Sequence, residues 1–410
     1  MIDEERIHAY AELLIQEGLN VQKGQTVLIT CPVECASFAR LCAEKAYAAG
    51  CREVVMNWND DALTRLKYLH ADNAVFDEFP SWRADFYNGY AKERAAYLVI
   101  DSEDPESLSG VNPDRIRRSK AASGKAIRYF RDASTADLFP WCVASVPSTA
   151  WARKVFPDVD AVRAEEMLWD AILKSSRVFP GGDPIQEWQE HSATLKKRVE
   201  VLNRYRFRLL KYRNSLGTDL TVELPEGHIW EGGSEKSADG TVFSANIPTE
   251  EIFTAPKLDG VNGVVFASRP LVLNGDIADH FSFHVENGKI TGISAVKGLE
   301  LLKATTSVDE GASYFGEIAL VPCNSPISNS GILFYNTLFD ENASCHIAFG
   351  SSYPCVEGGN AMTPEERKAH GLNDSIVHVD FMVGTPDLSI MGVTDSGEEI
   401  PVFIDGNFAF

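Results

Sequence analysis

The chain has 410 residues, 44% hydrophobic and 24% charged, with a formal net charge of −21. That length and composition describe an ordinary globular protein of two or three domains. The acidity argues against nucleic acid or an anionic membrane as the main partner, since both need basic patches, and no run approaches the ~18 apolar residues of a membrane span. Eight cysteines are present with no C-x-x-C pair, which in a chain this long argues against a disulfide framework. The opening Met-Ile-Asp-Glu-Glu-Arg lacks an apolar signal core, so a reducing, cytoplasmic setting is expected.

The first half alternates strand and helix. Ile7, Tyr10, Leu13 and Leu14 fall at helical spacing and the pattern closes on Gly18. A short apolar strand is expected over 26–30, a helix over 34–49 ending at Gly50, and strands over 53–58, 95–100 and 139–146. Asp160 is placed to N-cap a helix over 160–173. This βα alternation predicts a parallel sheet flanked by helices, an α/β N-terminal domain. Neither G-x-G-x-x-G nor a Walker loop occurs in it, so nucleotide binding has no support. Gly181-Gly182-Asp183 reads as a linker ahead of a helix over 184–205, which sets domains of 1–190 and 191–410.

After Arg206 the character changes to strand-like runs separated by Gly, Asn, Asp and Pro turns, over 220–224, 264–267, 281–285 and 289–293. Asn287-Gly288 suits a type I′ hairpin turn. Thr363-Pro364-Glu365-Glu366 reads as a capping box opening one short helix. The second half is therefore a mainly β (α+β) C-terminal domain.

Acidic and imidazole side chains of this half fall in strand and loop settings. Glu250 and Glu251 are adjacent between Pro248 and Pro256, and neighbours in an extended segment diverge, so at most one enters a given site. Glu317 sits among apolar residues in 314–322, where a buried carboxylate needs a cation or a donor. His346 lies in a β-rich stretch, and Tyr353 can join it only if the chain turns over 350–352. His378 and Asp380, two apart in a strand, project from one face. An imidazole and a carboxylate side by side suit a divalent cation. Taken alone, the pair is more often a strand with one polar side, and a single histidine such as His346 is more often a core residue hydrogen-bonded to the backbone.

Together, residues 246–256, 316–322, 337–350 and 376–383 resemble the aminopeptidase T/aminopeptidase S family of metallopeptidases, the thermophilic-type leucyl aminopeptidases; Val27-Leu28-Ile29 extends the likeness into the first half. The resemblance implies a catalytic, metal-binding C-terminal domain that holds two divalent ions, of zinc, cobalt, manganese or magnesium. The implied ligands are Glu251, Glu317, His346, Tyr353, His378 and Asp380, with Glu251 favoured over Glu250. It also implies peptide substrates and a homodimer.

Two-metal hydrolysis would use Glu317 as a bridging carboxylate and Tyr353 as a ligand or hydrogen-bond donor. A general base is also required, with Glu341 and Glu250 as candidates. The expectation is a metallo-aminopeptidase acting on short peptides. The alternatives are an amidase or other small-substrate hydrolase on the same metals, and a non-catalytic metal- or peptide-binding protein. Asn342-Ala343-Ser344 matches a glycosylation sequon, expected to be coincidental in a cytoplasmic chain.

Overall fold

In the computed structural model, residues 3–102, 104–273 and 276–410 are described. The N-terminal alternation builds a five-stranded sheet in the order Glu53–Asn59, Thr26–Pro32, Ala96–Asp101, Trp141–Ser145, Asn246–Ile247. Every neighbouring pair is parallel, as expected of strands joined through helices. The first helix, Glu4–Leu13, is N-capped by Asp3 and widens into a π turn over Leu14–Gly18. Position 18 is held to glycine by packing: a Cβ there would lie 2.9 Å from Cys142 Sγ on the Trp141–Ser145 strand. Asp160 accepts from the Arg163 amide at 3.0 Å, capping helix Ala161–Ser175.

The chain divides into two units. The first is Met1–Ser192 with Ser234–Thr249; the second is Ala193–Gly233 with Glu250–Phe410. The last strand of the parallel sheet, Asn246–Ile247, thus comes from far along the chain. No local pattern announces it, because two residues carry no periodicity.

The second unit is antiparallel. Its nine-stranded sheet includes the long Asp276–Glu286 strand paired with Lys289–Lys297. Asn287 and Gly288 turn between them with φ of 48° and 79°, the left-handed pair that a type I′ turn requires. A four-stranded sheet follows the order Ile252–Thr254, Phe315–Leu320, His346–Gly350, His378–Met382. One of its faces is apolar and joins the main core of this unit: Ile252, Ile318, Leu320, Ile347, Phe349 and Phe381 are all buried there. Phe381 meets Phe283 at 5.1 Å and Phe281 at 5.8 Å between ring centroids, in tilted and edge-on geometry that aromatic quadrupoles favour. The short helix Pro364–Ala369 opens on the full Thr363/Glu366 capping box. No helix among the described residues is long and apolar enough to cross a membrane.

Candidate metal centre

The register of the four-stranded sheet decides which side chains meet. Ala319 lies opposite His346, Glu317 opposite Ala348, Ala348 opposite Asp380, and Gly350 opposite His378. Directly opposed and alternate residues share a face. Glu317, His346, His378 and Asp380 therefore all project from the side away from the phenylalanine core. Ala319, Ala348 and Gly350, the residues between them, are small and leave room above the strands.

A β-bulge makes this possible. Phe315 pairs with Phe349 and Glu317 with Ala348, so the register slips by one at Gly316. Without the slip Phe315 and Glu317 would share a face; with it the ring enters the core and the carboxylate turns the other way. Only glycine fits at the slip, since a Cβ on Gly316 would lie 2.3 Å from the Gly350 carbonyl oxygen and 2.4 Å from that of Ser351.

Three groups of donors result among the described residues, and the first two share Glu317. Glu251, Glu317 and His346 have ligand atoms within 4.8 Å of one another, as do Glu317, His378 and Asp380. Glu317 Oε1 is 3.7 Å from His346 Nε2, while its Oε2 is 3.2 Å from His378 Nε2. Glu251 Oε2 is 3.1 Å from His346 Nε2, and Asp380 Oδ1 is 3.5 Å from His378 Nε2. The opposite ring nitrogens are committed to the backbone. His346 Nδ1 donates to the carbonyls of Glu341 (3.0 Å) and Ser344 (3.2 Å), and His378 Nδ1 donates to that of Ser351 at 2.7 Å. A carbonyl only accepts, so each Nδ1 carries a proton and each Nε2 is presented to the carboxylates. This is the outer hydrogen bonding that orients metal-binding imidazoles.

The electrostatics describe a cluster in need of cations. Burial alone would lower the histidine pKa values. The carboxylates reverse that: Glu251 and Glu317 push His346 well above its usual range, and Asp380 and Glu317 do the same to His378. Burial raises Glu251, and the Glu317 and Asp380 charges add to this against the His346 hydrogen bond. Asp380 would also rise on burial, yet the His378 charge holds it below the ordinary value.

Gly350 has a φ of 107°, and beyond it the chain brings Tyr353 against His378. The Ser351 and Ser352 amides donate to the Val377 and Asn373 carbonyls at 2.7 and 2.9 Å. The Tyr353 ring stands edge-on to His378 and tilted against Phe253, each at 5.3 Å. Burial and the surrounding carboxylates hold its phenol pKa well above the usual value. Glu341 ends the short helix Thr337–Glu341 and lies within 4.8 Å of His346 and Asp380 donor atoms. Burial first, then the Asp380 and Glu251 charges, push its carboxyl well above the ordinary range. The charge of Glu250, the other candidate base, acts on Arg198.

Asn342 escaped the sequence reading as a structural residue. Fully buried, it accepts from the Glu250 amide at 2.7 Å, donates to the Leu338 carbonyl at 2.8 Å and lies 3.5 Å from Glu341 Oε1. The sequon that drew attention to it is out of reach in the folded chain. A buried asparagine beside a ligand segment was the available signal.

The donor set fits divalent cations. Asp380 Oδ1 is buried without a hydrogen-bond partner, which is costly unless another group completes the site. Carboxylate oxygens and imidazole nitrogens grouped about a shared glutamate are the donors of hydrolytic metalloenzymes. The comparisons agree. Residues 3–408 match the family model described as thermophilic metalloprotease (M29). Aminopeptidase AmpS of Bacillus subtilis (strain 168) is 43% identical over 407 residues, covering 99% of each chain. Aminopeptidase 2 of Geobacillus stearothermophilus is 43% identical over 408 residues, 99% of this chain and 98% of that one. The solved structure of wild-type AmpT from Thermus thermophilus superposes with a TM-score of 0.91 at 37% identity, over 99% of this chain and 100% of that one. The chain is a metal-dependent peptide hydrolase and belongs to the thermophilic metalloprotease (M29) family.

Proposed function

We propose that this protein is a two-metal aminopeptidase that removes N-terminal residues from short peptides. One observation carries the reading: each oxygen of the Glu317 carboxylate faces a different histidine, as a bridging ligand must. Glu251 and His346 would complete one position, and His378 and Asp380 the other. Tyr353, beside His378, would serve as a ligand or as a hydrogen-bond donor to the reacting carbonyl. Two divalent cations supply Lewis acidity toward the scissile carbonyl and acidify a water. Glu341 is the candidate proton carrier: its buried carboxyl is disposed to accept a proton and would return it to the leaving amine. The proposal takes the ions from among zinc, cobalt, manganese and magnesium, and includes a cytoplasmic homodimer on the strength of the family likeness.

The test pairs metal analysis with turnover. Purified protein should hold about two divalent ions per chain. It should hydrolyse leucine or alanine p-nitroanilide, lose that activity to a chelator, and regain it with Co²⁺, Mn²⁺ or Zn²⁺. Metal-loaded protein inert toward these substrates sinks the reading. Full activity on N-acetylated peptides would redirect it to an amidase on the same metals.

A further inference from the structure

One carboxylate on the ligand-bearing face takes no part in the proposed metal chemistry. Glu231 and Phe253 exchange both backbone hydrogen bonds, N–H to O at 2.9 Å and 3.0 Å. In an antiparallel pair that arrangement sets two residues directly opposite, with their side chains on the same face. On its other side Phe253 pairs with Ala319, and Ala319 pairs with His346. The cross-strand row therefore runs Glu231, Phe253, Ala319, His346, all projecting together. Glu251 precedes Phe253 by two residues, which makes it the diagonal neighbour of Glu231, ~7–8 Å away at Cα.

The backbone carrying Glu231 is fixed. Asn203 brackets Trp230 by accepting from its amide at 2.7 Å and donating to its carbonyl at 3.0 Å. Thr254 Oγ1 donates to the Ile229 carbonyl at 2.7 Å. Gly232 lies so close to the ligand segment that a Cβ would meet the Glu251 carbonyl oxygen at 2.7 Å. The side chain is far less committed. Among the described residues its one hydrogen-bond partner is the Cys355 thiol, which donates to Oε2 at 3.4 Å, and a thiol is a weak donor. No described lysine, arginine or histidine forms an ion pair with it. The Phe253 ring, opposite Glu231, lies 5.3 Å from the Tyr353 ring, which in turn stands edge-on to His378. The carboxylates of the metal cluster face imidazoles and, in a loaded enzyme, metal ions. Glu231 faces neither.

We propose that Glu231 binds the free α-ammonium group of the peptide substrate, so that this carboxylate restricts hydrolysis to the N-terminal bond. The inference rests on the aminopeptidase reading above and deepens it. A half-buried carboxylate whose one hydrogen-bond donor among the described residues is a thiol has the capacity to accept an ammonium, which brings three donors and one positive charge. The pinned backbone supplies the preorganisation that a fixed distance from anchor to scissile carbonyl demands. A blocked N-terminus loses this ion pair and leaves the carboxylate desolvated without a partner.

The experiment compares leucinamide with 4-methylpentanamide, the same molecule lacking the amine, as competitors in initial-rate hydrolysis of leucine p-nitroanilide by the metal-loaded full chain, where each inhibition constant reports binding. Wild-type protein should favour leucinamide by about 10²-fold, the size expected when a charged group loses its partner in a partly desolvated site. Glu231→Gln should bring the two ligands within about threefold while metal content and melting temperature hold, and raise KM for leucine p-nitroanilide far more than it lowers kcat. Glu231→Asp, which keeps the charge, should retain most of the preference. An undiminished leucinamide preference in Glu231→Gln overturns the assignment and points to a metal ion or another carboxylate as the amine's partner. Wild-type protein that turns over no aminoacyl p-nitroanilide overturns the aminopeptidase reading itself, a result distinct from any change in the ratio of inhibition constants.

Discussion

The two faces of the four-stranded sheet are built from the same strands by strict alternation, yet they do opposite things. One face sends Ile318, Ile347, Phe349 and Phe381 into the core. The other sends Glu317, His346, His378 and Asp380 into a cluster of closely spaced carboxylate and imidazole donors. Rigidity and reactivity are divided by side, not by segment. Each apolar residue clamps the backbone position of a polar neighbour one step away. That division is how carboxylates are kept close enough to repel one another without the sheet giving way.

The comparison breaks most completely at the shared carboxylate. Glu317→Ala should reduce turnover by at least about 10³-fold, since several kcal/mol of transition-state stabilisation depend on the metals it would bridge. Elemental analysis should show at least one ion lost per chain, with the metal-free melting temperature nearly unchanged. Wild-type activity in that variant removes Glu317 from the site. The opposite face should give the opposite pattern. Phe381→Ala should cost about 3–5 kcal/mol of unfolding free energy, read by denaturant titration, while the surviving folded fraction binds its full complement of metal.

The bulge ties the faces together, so Gly316→Ala should damage both. The methyl would meet two carbonyl oxygens, with a stability loss of about 1–3 kcal/mol and weakened metal retention under chelator competition. A variant that is merely less stable, with unaltered metal affinity, would show that the slip does not set the carboxylate's direction. The smallest effect sharpens the comparison at its edge. Tyr353→Phe should lower kcat about tenfold or more if the phenol stabilises the reacting carbonyl. Unfolding free energy should stay within about 1 kcal/mol, because the ring contacts with Phe253 and His378 survive the change.

Much of the architecture was legible in local pattern. Apolar runs marked the parallel strands, Asp160 marked its helix start, and Asn287-Gly288 and Thr363 marked their turn and cap, because each signal acts within a few residues. The candidate cluster was legible differently. His378 and Asp380 announced a shared face through their spacing. Glu317, His346 and Tyr353 were ambiguous one by one and gained meaning only from family likeness across the second half of the chain. Asn342 and Glu231 were not singled out. The first was seen only as a sequon, and the second is one acid in a turn-rich stretch whose direction depends on a single bridge to Phe253.

The sequence by itself determined the element types, the acidic character and the residue chemistry available for a metal site, since composition and periodicity are local properties. Tertiary structure alone decided that Asn246–Ile247 returns to the parallel sheet and that a one-residue slip at Gly316 rotates Glu317 out of the core. It also decided that the two Glu317 oxygens face different histidines. These outcomes depend on strand register between segments far apart in the chain, and register is fixed by the packing of both faces at once.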